Sequence, residues 1–235
     1  MSNYAEQIKA NYDRVVQRVT SAAMAGGRDV NDITIVGVTK YVSKELAADL
    51  VDAGCTNLGE SRPQVLVEKA SELPQTSIRW HMIGHLQRNK VGKTLQHASL
   101  IHSVDSLRLA TAINRLAEQQ NKVADILLEV NVSGEEAKHG IGPDQLADLL
   151  TQVKELGSLS VNGLMCMAGL GSGESETRQQ FATLRQLRDG LADQASEKHS
   201  MCELSMGMSG DFELAIAEGA TMIRIGSILF EGCNP

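Results

Sequence analysis

Four cysteines in 235 residues, none of them in a CxxC pair, leave neither a zinc-ribbon spacing nor a disulfide framework. Cys55, Cys166, Cys202 and Cys233 therefore read as reduced thiols in packing roles. Aromatic residues make up only 3% of the chain, and neither they nor the basic residues gather into a stripe that could grip a phosphodiester backbone. With a formal charge of −7 as well, no nucleic-acid partner is expected. No stretch approaches the roughly 18 to 20 apolar residues needed to cross a bilayer. The opening residues, MSNYAEQIKANYDRVVQRV, are charged throughout and carry no apolar core of a secretory signal. The expectation is a cytoplasmic protein with no membrane partner. Internal repeats and long linkers are missing too, which leaves a second domain nowhere to fit.

What is there is a chain that is 42% hydrophobic and long enough to bury one sizeable core, so residues 1–235 are expected to form a single domain. From about Asp32 onward, short apolar or β-branched runs alternate with helical patterns, the signature of βαβ units. Eight strand candidates follow: ITIVGVTK (33–40), TNLGES (56–61), IRWHMIG (78–84), SLIHSVD (99–105), DILLEVNV (125–132), SVNGLMCM (160–167), CELSMGMS (202–209) and TMIRIGSILF (221–230). Helical periodicity fills the gaps over 43–53, 106–120, 143–156 and 174–194, several of these opening on a capping Ser, Asp or Pro. A doubly wound open sheet uses the same alternation, but eight even units in about 200 residues fit an α/β, single (β/α)8 TIM barrel better. Ahead of the barrel, residues 2–25 predict an amphipathic helix with Tyr4, Ile8, Tyr12, Val15, Val16 and Val19 on one side. It ends at Gly26-Gly27, so residues 1–27 form a flanking element.

In such a barrel function sits where the strands end at their carboxyl side. Lys40 closes VGVTK, and its ammonium is expected in the barrel mouth, where a low dielectric would depress its pKa and ready it for Schiff-base chemistry. The plain alternative is a lysine whose head merely snorkels to solvent. At the seventh and eighth strand ends, SMGMSGD (205–211) and RIGS (224–227) carry the parts of a phosphate cradle. Met208, Ser209 and Gly210 precede a helix that starts near Asp211, while Gly226 and Ser227 combine close backbone approach with a hydroxyl. Turn geometry alone would also explain these glycines. An amine facing such a cradle points to pyridoxal 5′-phosphate (PLP). Arg224 shares the facing of Gly226 by strand alternation and is expected to aim at the cofactor ring. There its permanent charge would keep the pyridine nitrogen unprotonated and weaken the ring as an electron sink.

Taken with VGVTK, the runs NLGESRPQ (57–64), WHMIGHLQRNK (80–90), HSVDS (102–106), EVNVSGEEAKHGI (129–141), GLMCMA (163–168), LSMGMSGDFELAIAEGAT (204–221) and RIGSILFEG (224–232) are highly specific in combination. On them the chain resembles the YggS/PROSC-type pyridoxal phosphate homeostasis proteins along nearly its whole length. The resemblance implies a fold-type III PLP barrel like the amino-terminal domain of alanine racemase. It makes Lys40 the Schiff-base lysine, puts Arg224 near the pyridine nitrogen and places Ser209, Gly226 and Ser227 around the phosphate. Ser61 stands where that family more often has Asn; serine still hydrogen-bonds near the ring but reaches less far. Lys138 matches a basic residue of the family's EEAKHG-type motif that would steer the phosphate. His81 and His85 match the WHxIGHLQ run and read as packing residues.

Three functions compete. The first is a PLP carrier or buffer in intracellular vitamin B6 homeostasis, not an enzyme, handing the cofactor to PLP-dependent apoenzymes. The second is an amino-acid racemase with Lys40 as one acid/base group. Alanine racemase-like enzymes take a second, tyrosine, from a further β domain, and after its eighth strand this sequence runs only to Pro235. Tyr41, the one tyrosine near the site, is expected to face away from Lys40 by strand alternation. The third is a PLP-bound regulatory adaptor. A monomer is expected, because the residues of one chain are expected to complete the site.

Overall fold

The computed structural model describes residues 4–73, 77–135, 139–169 and 171–233. Eight parallel strands close in sequence order into a barrel: β1 (Thr34–Val38), β2 (Asn57–Glu60), β3 (Arg79–Met82), β4 (Ala98–Val104), β5 (Ala124–Glu129), β6 (Leu159–Met165), β7 (Glu203–Ser205) and β8 (Met222–Ile225). The β1–β8 pairing, with Val36 opposite Arg224 and Gly37 opposite Ile225, completes the ring. The eight predicted strands are thus all present, but shorter at their carboxyl ends. The ladder stops at Val38, Ser205 and Ile225 because the chain then bends into the mouth, at Gly207 with φ +90° and at Gly226 ahead of a 3-10 turn over Ser227–Leu229.

Helices α1 (Ala5–Ala25), α2 (Lys44–Asp52), α3 (Pro63–Glu72), α4 (Val91–Thr94), α5 (Leu107–Gln119), α6 (Leu146–Lys154), α7 (Glu174–Asp189) and α8 (Phe212–Ala217) surround the barrel. Ser43 and Ser106 cap α2 and α5 by accepting from the backbone N–H groups of Leu46 and Leu109. Pro63 opens α3, where a missing N–H costs nothing. The predicted helix over 174–194 stops at Asp189, before Gly190, and resumes only as a 3-10 turn. The flanking helix α1 packs on α2 and α8, and buries Asn11 among its apolar residues. Asn11 Nδ2 donates to the carbonyls of Leu229 and Glu231, at 3.1 and 2.9 Å, and so ties α1 to the segment after β8. Among the described residues no helix is long and apolar enough to cross a membrane.

The pleat sorts the barrel residues into two populations. Ile126, Leu128, Ile223 and Ile225 face outward into the main core beneath the helices. Leu100, Leu127, Met165 and Met222 form a separate apolar cluster inside the barrel. Two residues further along the same strands come His102, Glu129 and Arg224, all buried. The interior therefore carries a polar layer above an apolar floor, on the side of the carboxyl mouth.

Candidate functional site

Lys40 sits two residues past β1, at the rim. Its backbone is held from two sides. Lys69 of α3 donates to the Thr39 carbonyl at 2.7 Å, and Arg62 Nη2 donates to the Lys40 carbonyl at 3.3 Å. The Lys69 ammonium also meets Glu60 Oε1 at 2.7 Å, and the Thr39 hydroxyl donates to that same oxygen at 2.7 Å. All three groups are buried, and Glu60 Oε2 has no hydrogen-bond partner among the described residues. A lysine on the buried stripe Pro63, Leu66, Lys69 is the only trace of this clamp in the sequence. Lys69→Met would strand the Glu60 carboxylate in the interior, and loss of one partner of a buried pair costs about 3–5 kcal/mol. Denaturant titration of the variant should show a loss of that size, and the double variant Lys69→Met/Glu60→Gln should recover part of it.

The Lys40 side chain itself is half-buried, not enclosed in a dry mouth. Its Nζ rests 5.0 Å from the ring centroid of Tyr41, a residue that is 78% exposed. Tyr41 therefore does not face away from Lys40. Strand alternation fails there because β1 has already ended at Val38 and residues 39–41 belong to a turn.

Gly226 continues β8 beside Val38, and its N–H donates to Ser209 Oγ at 3.1 Å. The β7 and β8 ends thus meet as the sequence predicts, next to the strand that carries Lys40. Ser209 and Gly226 are half-buried, Ser227 is exposed, and nothing lies within 4 Å of the position a side chain on Gly210 would take. The backbone N–H of Met208 is already engaged by the Asp211 carboxylate. Met208 consequently has its side chain, 37% exposed, to offer and not its N–H. Burial pushes the Asp211 carboxyl up, against the pull of the Met208 N–H and of Arg224. Ser61 lies at the end of β2, where its backbone presses on Gly84 so closely that a Cβ there would fall 2.3 Å from the Ser61 oxygen. Lys138 lies outside the described residues.

Arg224 points into the polar layer, where Nη1 donates to Ser205 Oγ at 2.7 Å and Nη2 to the Cys166 carbonyl at 2.8 Å. Beyond Ser205 the hydrogen bonds continue across the barrel. Ser205 Oγ meets His102 Nδ1 at 2.9 Å, His102 Nε2 meets His81 Nδ1 at 2.9 Å, and His81 Nε2 meets Asn57 Oδ1 at 3.1 Å. Burial holds both rings neutral, and with one proton on each ring the acceptor at the Asn57 end sets the direction of the row. His81 donates from Nε2 to the amide oxygen of Asn57, His102 donates from Nε2 to His81 Nδ1, and the Ser205 hydroxyl, which accepts from Arg224, donates to His102 Nδ1. Both ring protons therefore sit on Nε2. Burial, reinforced by Arg79, lowers His81 to about 3. Burial, then His81 and Arg224, lowers His102 well below the usual range. Glu129 shares the layer: burial and then Asp105 push its carboxyl up to about 7, with Arg224 pulling the other way.

Residues 5–235 match the alanine racemase N-terminal domain model. A pyridoxal phosphate homeostasis protein of Aquifex aeolicus is 40% identical over 217 residues, covering 92% of this chain and 94% of its own. The chain belongs to the pyridoxal phosphate homeostasis protein family. Two solved structures, each 34% identical, share its fold. One is an unknown protein from Bifidobacterium adolescentis, with a TM-score of 0.93 over 98% of this chain and 97% of that one. The other is PipY of Synechococcus elongatus with PLP bound, at 0.81 over 92% and 99%.

In this homeostasis-family barrel the sequence singles out the rim but not what lies behind it. Ser205, His102 and Glu129 occur inside quoted motifs, yet nothing local marks them as one layer. The signal is their spacing, two residues beyond Leu127 for Glu129 and beyond Leu100 for His102, on strands otherwise apolar inside.

Proposed function

We propose that the chain binds pyridoxal 5′-phosphate at the carboxyl mouth of its barrel and serves intracellular vitamin B6 homeostasis as a carrier or buffer, without a dedicated catalytic reaction. The observation that carries this reading is Arg224. It is 4% exposed, permanently charged, and bonded through two of its five N–H groups, on the strand next to the one that presents Lys40.

When bound, the cofactor supplies an aldehyde that condenses with a primary amine and a ring nitrogen whose protonation sets its strength as an electron sink. Lys40 provides the amine, at a backbone position fixed by Lys69 and Arg62. Arg224, with N–H groups left over, would face the ring nitrogen and, being unable to give up its proton, would keep that nitrogen unprotonated. The Ser209 hydroxyl, whose oxygen already receives the Gly226 N–H, would donate outward to the phosphate, with Gly226 and Ser227 beside it. Ser61 and Met208, just past the β2 and β7 ends, would border the ring and phosphate. PLP in the PipY structure and the designation of the Aquifex relative support the assignment.

A racemase needs a second acid/base group on the face opposite its lysine. Tyr41 packs against the Lys40 ammonium itself, which argues for the carrier. All the residues named lie on one chain, so a monomer suffices, and PLP-dependent apoenzymes are the recipients this reading assigns. Two assays on the loaded protein test it. Mixing with an apo-aminotransferase should restore transaminase activity at a rate set by cofactor release. Incubation with L-alanine in deuterated water should give no more α-proton exchange than free PLP does. Exchange faster than that, and lost in Lys40→Ala, would replace the carrier with a racemase.

A further inference from the structure

On the β3–β5 side of the mouth, across from β1 and β8, three side chains converge that the cofactor reading does not use. His85 follows β3, Asp105 follows β4 directly, and His139 lies in the connection after β5. One ligand atom from each lies within 4.8 Å of the other two. The two imidazoles stack, with centroids 4.4 Å apart and planes 17° from parallel, and His139 Nδ1 stands 4.0 Å from Asp105 Oδ2.

Each residue adjoins a fixed backbone point. Gly84, next to His85, packs against Ser61 and accepts from the Ser103 hydroxyl at 2.6 Å. Gly140, next to His139, has φ +105°, and a Cβ there would fall 2.7 Å from the Asn131 nitrogen. Ile141 then anchors the loop by donating to the Glu129 carbonyl and accepting from the Asn131 N–H, each at 2.9 Å. Asp105 leaves the last ladder residue of β4, and its Oδ1 accepts from the Ser106 hydroxyl at 3.1 Å, which leaves Oδ2 for a ligand.

We propose that His85, Asp105 and His139 bind a divalent transition metal of the zinc class. Two imidazoles and one carboxylate are the donor set that borderline cations such as zinc prefer, and three protein ligands leave a fourth position open. Bonds of about 2.0–2.2 Å to such an ion place its ligand atoms roughly 3.4 Å apart, and each imidazole must hold the ion in its own plane, so closure requires the two exposed rings to swing out of their stack as they approach. His85 and Asp105 line a cleft of about 440 Å³ together with Arg88 and Arg108. Those two guanidiniums oppose a bare cation but suit a metal that carries an exogenous anion as its fourth ligand.

The test is calorimetric titration of tag-free protein with zinc chloride and nickel chloride, and magnesium chloride as control. A Cys202→Ser background removes the one exposed thiol among the described residues. The expected result is one zinc per chain, no saturable magnesium binding, and at least about tenfold weaker zinc binding in His85→Ala and in His139→Ala. Both rings are exposed, so these variants should keep the parent's melting temperature without metal. Absence of saturable zinc binding, or equal affinity in the His85→Ala/His139→Ala double variant, would overturn the proposal.

Discussion

Lys40→Ala is expected to lose covalent retention of PLP completely while the barrel stays folded. The side chain is half-buried at the rim, its recorded contact is with an exposed tyrosine ring, and the hydrogen bonds that order this stretch run to backbone carbonyls. Removing it should therefore change unfolding free energy by no more than about 0.5 kcal/mol, as for other substitutions outside the core. Protein loaded with PLP and passed through a desalting column should keep the long-wavelength absorbance of lysine-bound cofactor in the wild type and none in the variant. Full absorbance in Lys40→Ala would show that a different amine carries the cofactor.

The second large effect is on acid stability. Both interior histidines are bases whose folded pKa lies below the unfolded value, so the unfolded chain takes up protons first as pH falls. The stability in question is whole above about pH 6.5, declines as pH drops below that value, and has been lost once pH passes through the folded value, about 3 for His81. A gap from 6.5 to about 3 corresponds to roughly 5 kcal/mol at its limit for His81 alone, and His102 acts in the same direction. The hydrogen-bond row supplies the structural cause. A proton added to either ring sets two donors face to face unless the row reverses toward Ser205, beside the fixed charge of Arg224. Urea midpoints between pH 7.5 and 4.5 should fall steeply for the wild type and less steeply for His81→Gln. The slope is the readout, since that substitution lowers stability at every pH. Parallel slopes would mean that His81 titrates normally in the folded protein.

The barrel was legible in the sequence because strand and helix periods differ, and the eight apolar runs from ITIVGVTK to TMIRIGSILF each stop at a turn signal. Their carboxyl limits were not, because nothing in VGVTK marks Val38 as the last ladder residue and RIGSILF turns apolar again at Ile228, where the chain is already bending into the mouth. The misplacement of Tyr41 has that same origin. Lys40 and Ser209 could be placed at the barrel mouth because each ends a run, and Gly226 and Ser227 because a Gly-Ser pair interrupts the last one. Their support could not. Ser205 and His102 are 103 residues apart and become neighbours only when the barrel closes. Lys69 resembles any helix lysine until α3 is docked on β2, where its ammonium finds Glu60 and the Thr39 carbonyl.

The most direct test of the site is borohydride reduction of the PLP-loaded protein followed by peptide mass mapping. The expected result is a single phosphopyridoxyl adduct, on the peptide that contains Lys40. An adduct on another lysine, or none after reconstitution with excess PLP, would contradict the account and leave the mouth of this barrel to a different phosphorylated ligand.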